Sequence, residues 1–317
     1  MPFKGEPELF DKLIKVKENA AELLDKELKK VTPDLIAVGD WQPVEKEFRI
    51  SRKMLEVCYK HGFPVFLLEK SPLIIDDLDL LKKIDKKSGV ITSFSIITTK
   101  DDKIRRIVEP KAPTVKSRFA AMKKIADAGL ITGTSFMPIL PFLYDDEKNL
   151  EAVVVETKKN GGSYVLVGGL TLWGGVKDHY YMMLKENFPS LVPKYEKIFT
   201  SDAAFGEYWK KISERVKTLC KKHKIGQFIP RPIKHYPKGL HLNKKIAAVF
   251  YFKARNYQNS SANKYKEWAY RKAAWAMDDL NEPVEEIYKR SWLGGIQKIN
   301  GIGNRLAHEI EKYIKSN

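Results

Sequence analysis

Five short apolar runs alternate with amphipathic segments between residues 34 and 170, and this alternation restricts the fold more than any other feature. The runs are 34–39 (DLIAVG), 64–68 (PVFLL), 90–97 (VITSFSII), 132–139 (TGTSFMPI) and 164–170 (YVLVGGL). Short, continuous apolar runs of this kind suit strands buried in a parallel sheet. Between them the spacing predicts helices over 18–30, 52–59, 78–84, 115–128 and 147–160. In the first, Ala20, Leu23, Leu24 and Leu28 share one face. The fourth stops at Gly129, as helices often do. Strand–helix–strand units close by right-handed crossovers, so the class is α/β with a parallel sheet. Polar or unusual residues stand at the C-terminal ends of the strands: Asp40, Lys70, Ser95, Pro138 and Thr171. In parallel α/β folds that rim carries the chemistry. A helix over 180–198 finishes the unit.

The chain has 317 residues, 43% of them hydrophobic, enough for two domains and a sizeable core. It has no apolar run long enough to span a bilayer and no signal-peptide pattern, so a cytoplasmic protein without membrane contact is expected. Its two cysteines, Cys58 and Cys220, are far apart and form neither a disulfide framework nor a metal-binding spacing. The six histidines are scattered and suggest no metal site, and His179 reads as a surface residue. Net charge is +17 and unevenly placed. Residues 201–317 hold 24 Lys/Arg against 11 Asp/Glu, whereas residues 1–200 hold 33 against 29. Concentrating the positive field on the C-terminal third favours a polyanionic partner there.

That third begins with a basic helix over 201–224, followed by the proline-punctuated stretch FIPRPIKHYPKG (228–239), which reads as a linker. Helices are predicted over 243–255, 262–280 and 284–291. The division is therefore 1–200, an α/β unit; 201–241, basic helix and linker; and 242–317, a small helical domain. The last segment, GGIQKINGIGNRLAHEIEKYI (294–314), places Gly301-Ile302-Gly303 as a tight turn between helices, with Ile299, Leu306, Ala307 and Ile310 at helical spacing. The amides opening the second helix point outward with partial positive charge, which suits a phosphate. The pattern resembles the helix-hairpin-helix motif, which grips nucleic-acid backbone without reading sequence.

From residue 243 to 314 the chain resembles the N-terminal helical domain of X-family DNA polymerases, chiefly through KYKEWAYRKAAWAMDDLNEPVEEIY, where Tyr270, Arg271, Ala273 and Ala274 match well. The polymerase-beta version is also a lyase whose Schiff-base lysine would fall here on Glu309. A carboxylate forms no imine, so the resemblance implies binding alone. It places Lys266 at a basic residue contacting a 5′ phosphate. Lys298 and Arg305 flank the hairpin, so the expected DNA contacts are Lys266, Lys298, Gly301, Ile302, Gly303 and Arg305. Trp268 and Trp275 are expected in the core.

The first two-thirds resemble the radical S-adenosylmethionine superfamily, in particular the spore photoproduct lyase branch. The resemblance runs from about residue 13 to 199. It rests on GDWQPVEKEFRISRKMLEVCYKHGFPVFLLEKSPLIIDDLDLL, SFSIITTKDDKIRRIVEPKAPTVKSRFAAMKKIADAGL and MPILPFLYDD. It implies an incomplete parallel (β/α) barrel holding strands 2–6. Family members ligate a 4Fe-4S cluster through a CxxxCxxC loop after the first strand. No such loop occurs here, so the cluster is expected only from another chain or a missing segment. For S-adenosylmethionine the resemblance points to Gly39, Asp40, Lys70 and Ser95, with Lys70 facing the cofactor carboxylate. The hydrogen-donating cysteine of true lyases is unmatched. Glu109 and Arg118 are expected to form a structural ion pair. The strand at 34–39 would leave an open edge, to be covered by residues 1–14, a second copy, or a polypeptide carrying the strand and cysteines. The expected function is nucleic-acid-associated radical chemistry in DNA repair or modification. The alternative is a non-catalytic DNA-binding protein that uses the barrel as scaffold.

Overall fold

The computed structural model describes residues 13–39, 41–258 and 264–316. All five apolar runs become strands: β1 (Ile36–Gly39), β2 (Val65–Glu69), β3 (Val90–Ser95), β4 (Ile131–Ile139) and β5 (Tyr164–Gly169). They are parallel and hydrogen-bonded in chain order, β1-β2-β3-β4-β5. Each right-handed crossover therefore steps the same way, which puts the crossover helices on one face. They are α2 (Glu45–Phe48), α3 (Ile50–His61), α4 (Leu78–Lys87), α5 (Lys103–Val108), α6 (Val115–Asp127) and α7 (Glu147–Lys159), and α1 (Ala20–Leu28) precedes the first strand. Leu55, Leu67, Leu81, Phe94 and Met122 form one buried cluster beneath β1–β3. Phe136, Leu150, Val154 and Val165 form a second beneath β4–β5.

The opposite face is lined differently. Ser93 and Ser135 hydrogen-bond there at 2.8 Å. The Tyr164 ring crosses Gly133 to donate to Thr92 O at 2.8 Å, and a Cβ on Gly133 would lie only 2.8 Å from that ring. Leu68, on the same side of the sheet, is 41% exposed.

Two expectations need correction, and two helices went unpredicted. The helix over 180–198 is broken into α8 (Gly174–Asn187), a 3-10 turn at Pro189–Leu191, and α9 (Val192–Ile198), because prolines 189 and 193 interrupt the helical hydrogen bonds. The helix starting at 284 continues well beyond 291, with a kink at Trp292 (φ 50°, ψ −149°). The short helices α2 and α5 lacked enough turns to show a period.

Helix α10 (Asp202–Lys222), capped by Ser201, buries Ile212, Val216, Leu219 and Cys220 in the second cluster. The proline-rich segment after it is packed rather than free. Gly226 donates to Ser163 O at 3.0 Å and accepts from Val165 at 2.9 Å, at the start of β5. Pro232 is buried against Gly89, just before β3, and Lys234 pairs with Asp85 at 2.5 Å. On its other side Arg231 meets Asp278 at 2.8 Å and Phe228 meets Phe252 at 4.7 Å between ring centroids.

Four helices follow: α11 (His241–Gln258), α12 (Lys264–Asp279), α13 (Val284–Gln297) and α14 (Asn304–Lys315). Their core is Ile246, Ala247, Phe250, Tyr270, Ala273, Ala274, Met277, Ile296, Ala307 and Ile310. Residues 262 and 263 of the expected α12 lie outside the described residues.

Candidate nucleic-acid interface and sheet rim

The hairpin joins α13 to α14. Ile302 donates to Ile299 O at 3.0 Å, closing a turn whose third residue, Gly301, has φ +87°. That left-handed angle is open to glycine and strained for most other residues. Ile302 is 4% exposed and anchors the turn in the core. Gly303 is the N-cap of α14 at φ −85°, and no side chain caps the helix. A Cβ there would meet no atom within 4 Å, so the space before the first α14 amides is open. These amides, unpaired by the helix, form an anion seat. Lys298 and Arg305 are exposed beside it and have no ion-pair partner among the described residues. Lys266 is exposed on α12, 5.7 Å from the Tyr257 ring centroid. Lys298, Gly301, Ile302, Gly303 and Arg305 thus share the hairpin, whereas Lys266 lies on α12.

Arg305 also lines a shallow groove of about 720 Å³ with Lys253, His308, Glu309, Lys312 and Tyr313. Glu309 accepts from the Tyr270 hydroxyl at 2.9 Å and pairs with Lys253. Burial pulls the Lys253 pKa down, but Glu309 more than reverses this, so the amine stays protonated and is no nucleophile. Trp268 and Trp275, expected in the core, are 51% and 44% exposed. They lie on the side of α12 opposite Tyr270, Ala273, Ala274 and Met277, which fill the interior.

At the C-terminal ends of the strands a chain of charges joins two expected residues. Lys70 Nζ lies 2.7 Å from Glu109, and Glu109 lies 2.6 Å from the fully buried Arg118. Arg118 also donates to Ser95 O at 2.7 Å and to Pro113 O at 2.9 and 3.1 Å. Burial alone would raise the Glu109 pKa, but Lys70 and Arg118 hold it below its ordinary value. The expected Glu109–Arg118 ion pair is therefore present, and it carries Lys70 and Ser95 with it. Gly39 ends β1 opposite Leu68 in register, and Asp40 lies outside the described residues.

Sequence reasoning passed over Glu69, a carboxylate 3% exposed at the end of β2, near the Trp41 N–H at 3.3 Å. An acidic residue closing an apolar strand was the available signal. Trp41 Nε1 in turn donates to Asp77 at 2.8 Å, and Asp77 pairs with Arg52 at 2.9 Å. Trp41, Asp77 and Arg52, with Glu45 and Arg49, line a cleft of about 200 Å³.

The thiols lie apart, Cys58 in the first cluster and Cys220 in the second. Burial pushes their pKa values up to about 11 and about 12, so neither favours the thiolate that iron requires. Among the described residues no three His, Cys, Asp or Glu side chains gather as a metal site, and no helix is long and apolar enough to cross a membrane. Strand β1 has no partner other than β2 among the described residues, and residues 1–12 of the segment expected to cover it lie outside them.

Comparison with known proteins agrees with the hairpin geometry. Residues 241–317 match the model of the helix-hairpin-helix domain family. An uncharacterised protein of Mycobacterium tuberculosis is 27% identical over 231 residues, covering 70% of this chain and 68% of its own length. One from Methanocaldococcus jannaschii is 29% identical over 208 residues, covering 65% of this chain and 73% of its own. One from Acidianus two-tailed virus is 35% identical over 109 residues, 33% of this chain and 35% of its own. No solved structure matches the chain. The C-terminal residues thus form a helix-hairpin-helix domain, a fold that points to DNA binding, attached to an α/β unit with a five-stranded parallel sheet.

Proposed function

We propose that this chain is a cytoplasmic, DNA-associated protein of the radical S-adenosylmethionine, spore photoproduct lyase-like kind, acting in DNA repair or modification. The observation that carries the DNA part is the uncapped Gly303 terminus of α14, open in front and flanked by unpaired Lys298 and Arg305. A phosphate seated there meets backbone amides and cations but no base edge, so binding is independent of sequence. Chain-order pairing of β1–β5 supports reading the sheet as strands 2–6 of a barrel.

Lys70, Ser95 and Gly39 at the rim, together with Asp40, are the proposed S-adenosylmethionine contacts. Lys70 is 48% exposed at its side chain and held by Glu109, so its ammonium is oriented yet reachable by a carboxylate. The iron–sulfur cluster does not fit this chain's own thiols, which are buried in separate cores. Its ligands must come from another polypeptide or segment. The two buried thiols and the carboxylate at Glu309 favour the second reading, a DNA-binding protein with the sheet as scaffold.

Fluorescence anisotropy with a labelled duplex tests the DNA part: Gly303→Val should weaken binding at least tenfold, on the order of one lost phosphate contact. Unchanged affinity would sink it. Equilibrium dialysis with S-adenosylmethionine tests the rim, where Lys70→Met should abolish uptake. Should the unsubstituted chain take up none, the scaffold reading stands.

A further inference from the structure

We propose that the outward face of α12 is a stacking platform for unpaired bases, so that the domain takes nucleic acid carrying a single-stranded segment next to the strand held by the hairpin. This rests on the DNA-binding reading above and names its substrate class. Trp268 and Trp275 are 51% and 44% exposed, and Tyr265 is 94% exposed. Positions 265, 268, 272 and 275 fall on one side of a helix, away from the buried Tyr270, Ala273, Ala274 and Met277. A small domain that keeps this much aromatic surface in water holds it for a ligand.

Three observations make that ligand a nucleobase. The hairpin turn rests on the same face: a Cβ at Gly301 would lie 3.5 Å from both the side chain and the carbonyl of Lys272, which stands between the two tryptophans. A strand whose phosphate sits at Gly303 therefore passes beside the platform. The surroundings are cationic as well. Lys264 and Lys272 are exposed without ion-pair partners among the described residues, and Arg271 lies 5.8 Å from the Trp268 ring centroid while paired with Glu267 at 2.7 Å. Of the two acidic residues at the C-terminal end, Asp278 is paired with Arg231 and Lys244 and Asp279 is exposed. Lastly, the two indoles meet edge to face, 6.3 Å apart at 67°, so each offers its own flat surface to a separate base. Bases inside a duplex have both faces covered by their neighbours and cannot reach these rings. Unpaired bases can.

The test is anisotropy at one salt concentration with a blunt duplex, the same duplex carrying an overhang of about six nucleotides, and a single-stranded oligothymidylate. The overhang should bind more tightly than the blunt duplex. Trp268→Ser and Trp275→Ser should each weaken overhang and oligothymidylate binding about tenfold and leave the blunt duplex unchanged. Both side chains are largely outside the core, so melting temperatures should not move. Equal affinity of variant and parent for the overhang would overturn the proposal. So would equal losses on all three DNAs. Self-association that the substitutions abolish without any effect on DNA would assign the face to a second copy, which also overturns it. Failure of the hairpin reading looks different: Gly303→Val would then change none of the three affinities.

Discussion

Gly301 and Gly303 stand two positions apart and serve different physical ends. Gly301 needs its φ of +87°, where a β-branched residue costs about 1–2 kcal/mol or more. Gly303, at φ −85°, accepts any residue, and a side chain there enters only the space in front of the amides. Gly301→Val should therefore lower the melting temperature. Gly303→Val should leave it within about 0.5 kcal/mol of stability while impairing DNA binding, as calorimetry and anisotropy on the same samples would show. Arg118 poses the opposite case. It is wholly buried, and removing it leaves Glu109 in the interior without its shortest ion pair, facing only Lys70 at 2.7 Å and Arg105 at 3.8 Å. Arg118→Met should cost about 3–5 kcal/mol in urea unfolding. The sign with pH follows from the lowered Glu109 pKa. Its contribution is complete above the ordinary carboxylate value of 4.5 and is lost as pH falls through the lowered folded value. In Arg118→Met the acid-unfolding midpoint should move upward.

Among the elements, the strap between α10 and α11 most affects how the parts are held together. A proline-rich sequence predicts low helix content but says nothing of packing, and here Pro232, Lys234, Arg231 and Phe228 all find partners in the folded chain. His235 lies in the strap against Tyr236, with ring centroids 3.9 Å apart. Burial lowers its pKa below 6.5, Arg231 and Lys244 add to this, and the Ser88 backbone and Asp34 only partly oppose it. A histidine with a depressed folded pKa stabilises above 6.5 and loses that contribution as pH falls through the folded value. Limited proteolysis should therefore cut the strap faster at pH 5.5 than at pH 7.5, and His235→Phe should remove the difference. An unchanged pH ratio in that variant would show that other groups control the strap.

At the scale of the whole molecule, the positive charge and the hairpin coincide. DNA affinity should fall linearly on log–log axes as salt rises, by about 0.9 in slope for each phosphate neutralised, and Arg305→Ala should reduce the slope by about one. A slope near zero would contradict a phosphate grip. The strap also meets the sheet at the N-terminal ends of β3 and β5, through Gly89 and Gly226, whereas Lys70 and Ser95 stand at the C-terminal ends. A strand of this length spans roughly 17–20 Å, so the strap docking and the rim chemistry are separated by the depth of the sheet.

Period and punctuation are local properties, and they sufficed for the five strands, the longer crossover helices and the glycine turn, because each depends on residues a few positions apart. The parallel class followed from their order. What local pattern could not supply was anything decided by a distant partner. Glu69 looks like a surface charge until the fold closes over it. Trp268 and Trp275 look like core until α12 turns Tyr270 and Ala274 inward instead. The residues flanking Pro232 look like a tether until Gly89 and Asp85 arrive from far along the chain. Burial is set by what packs on the other side of a residue, and only the tertiary structure brings that other side into place.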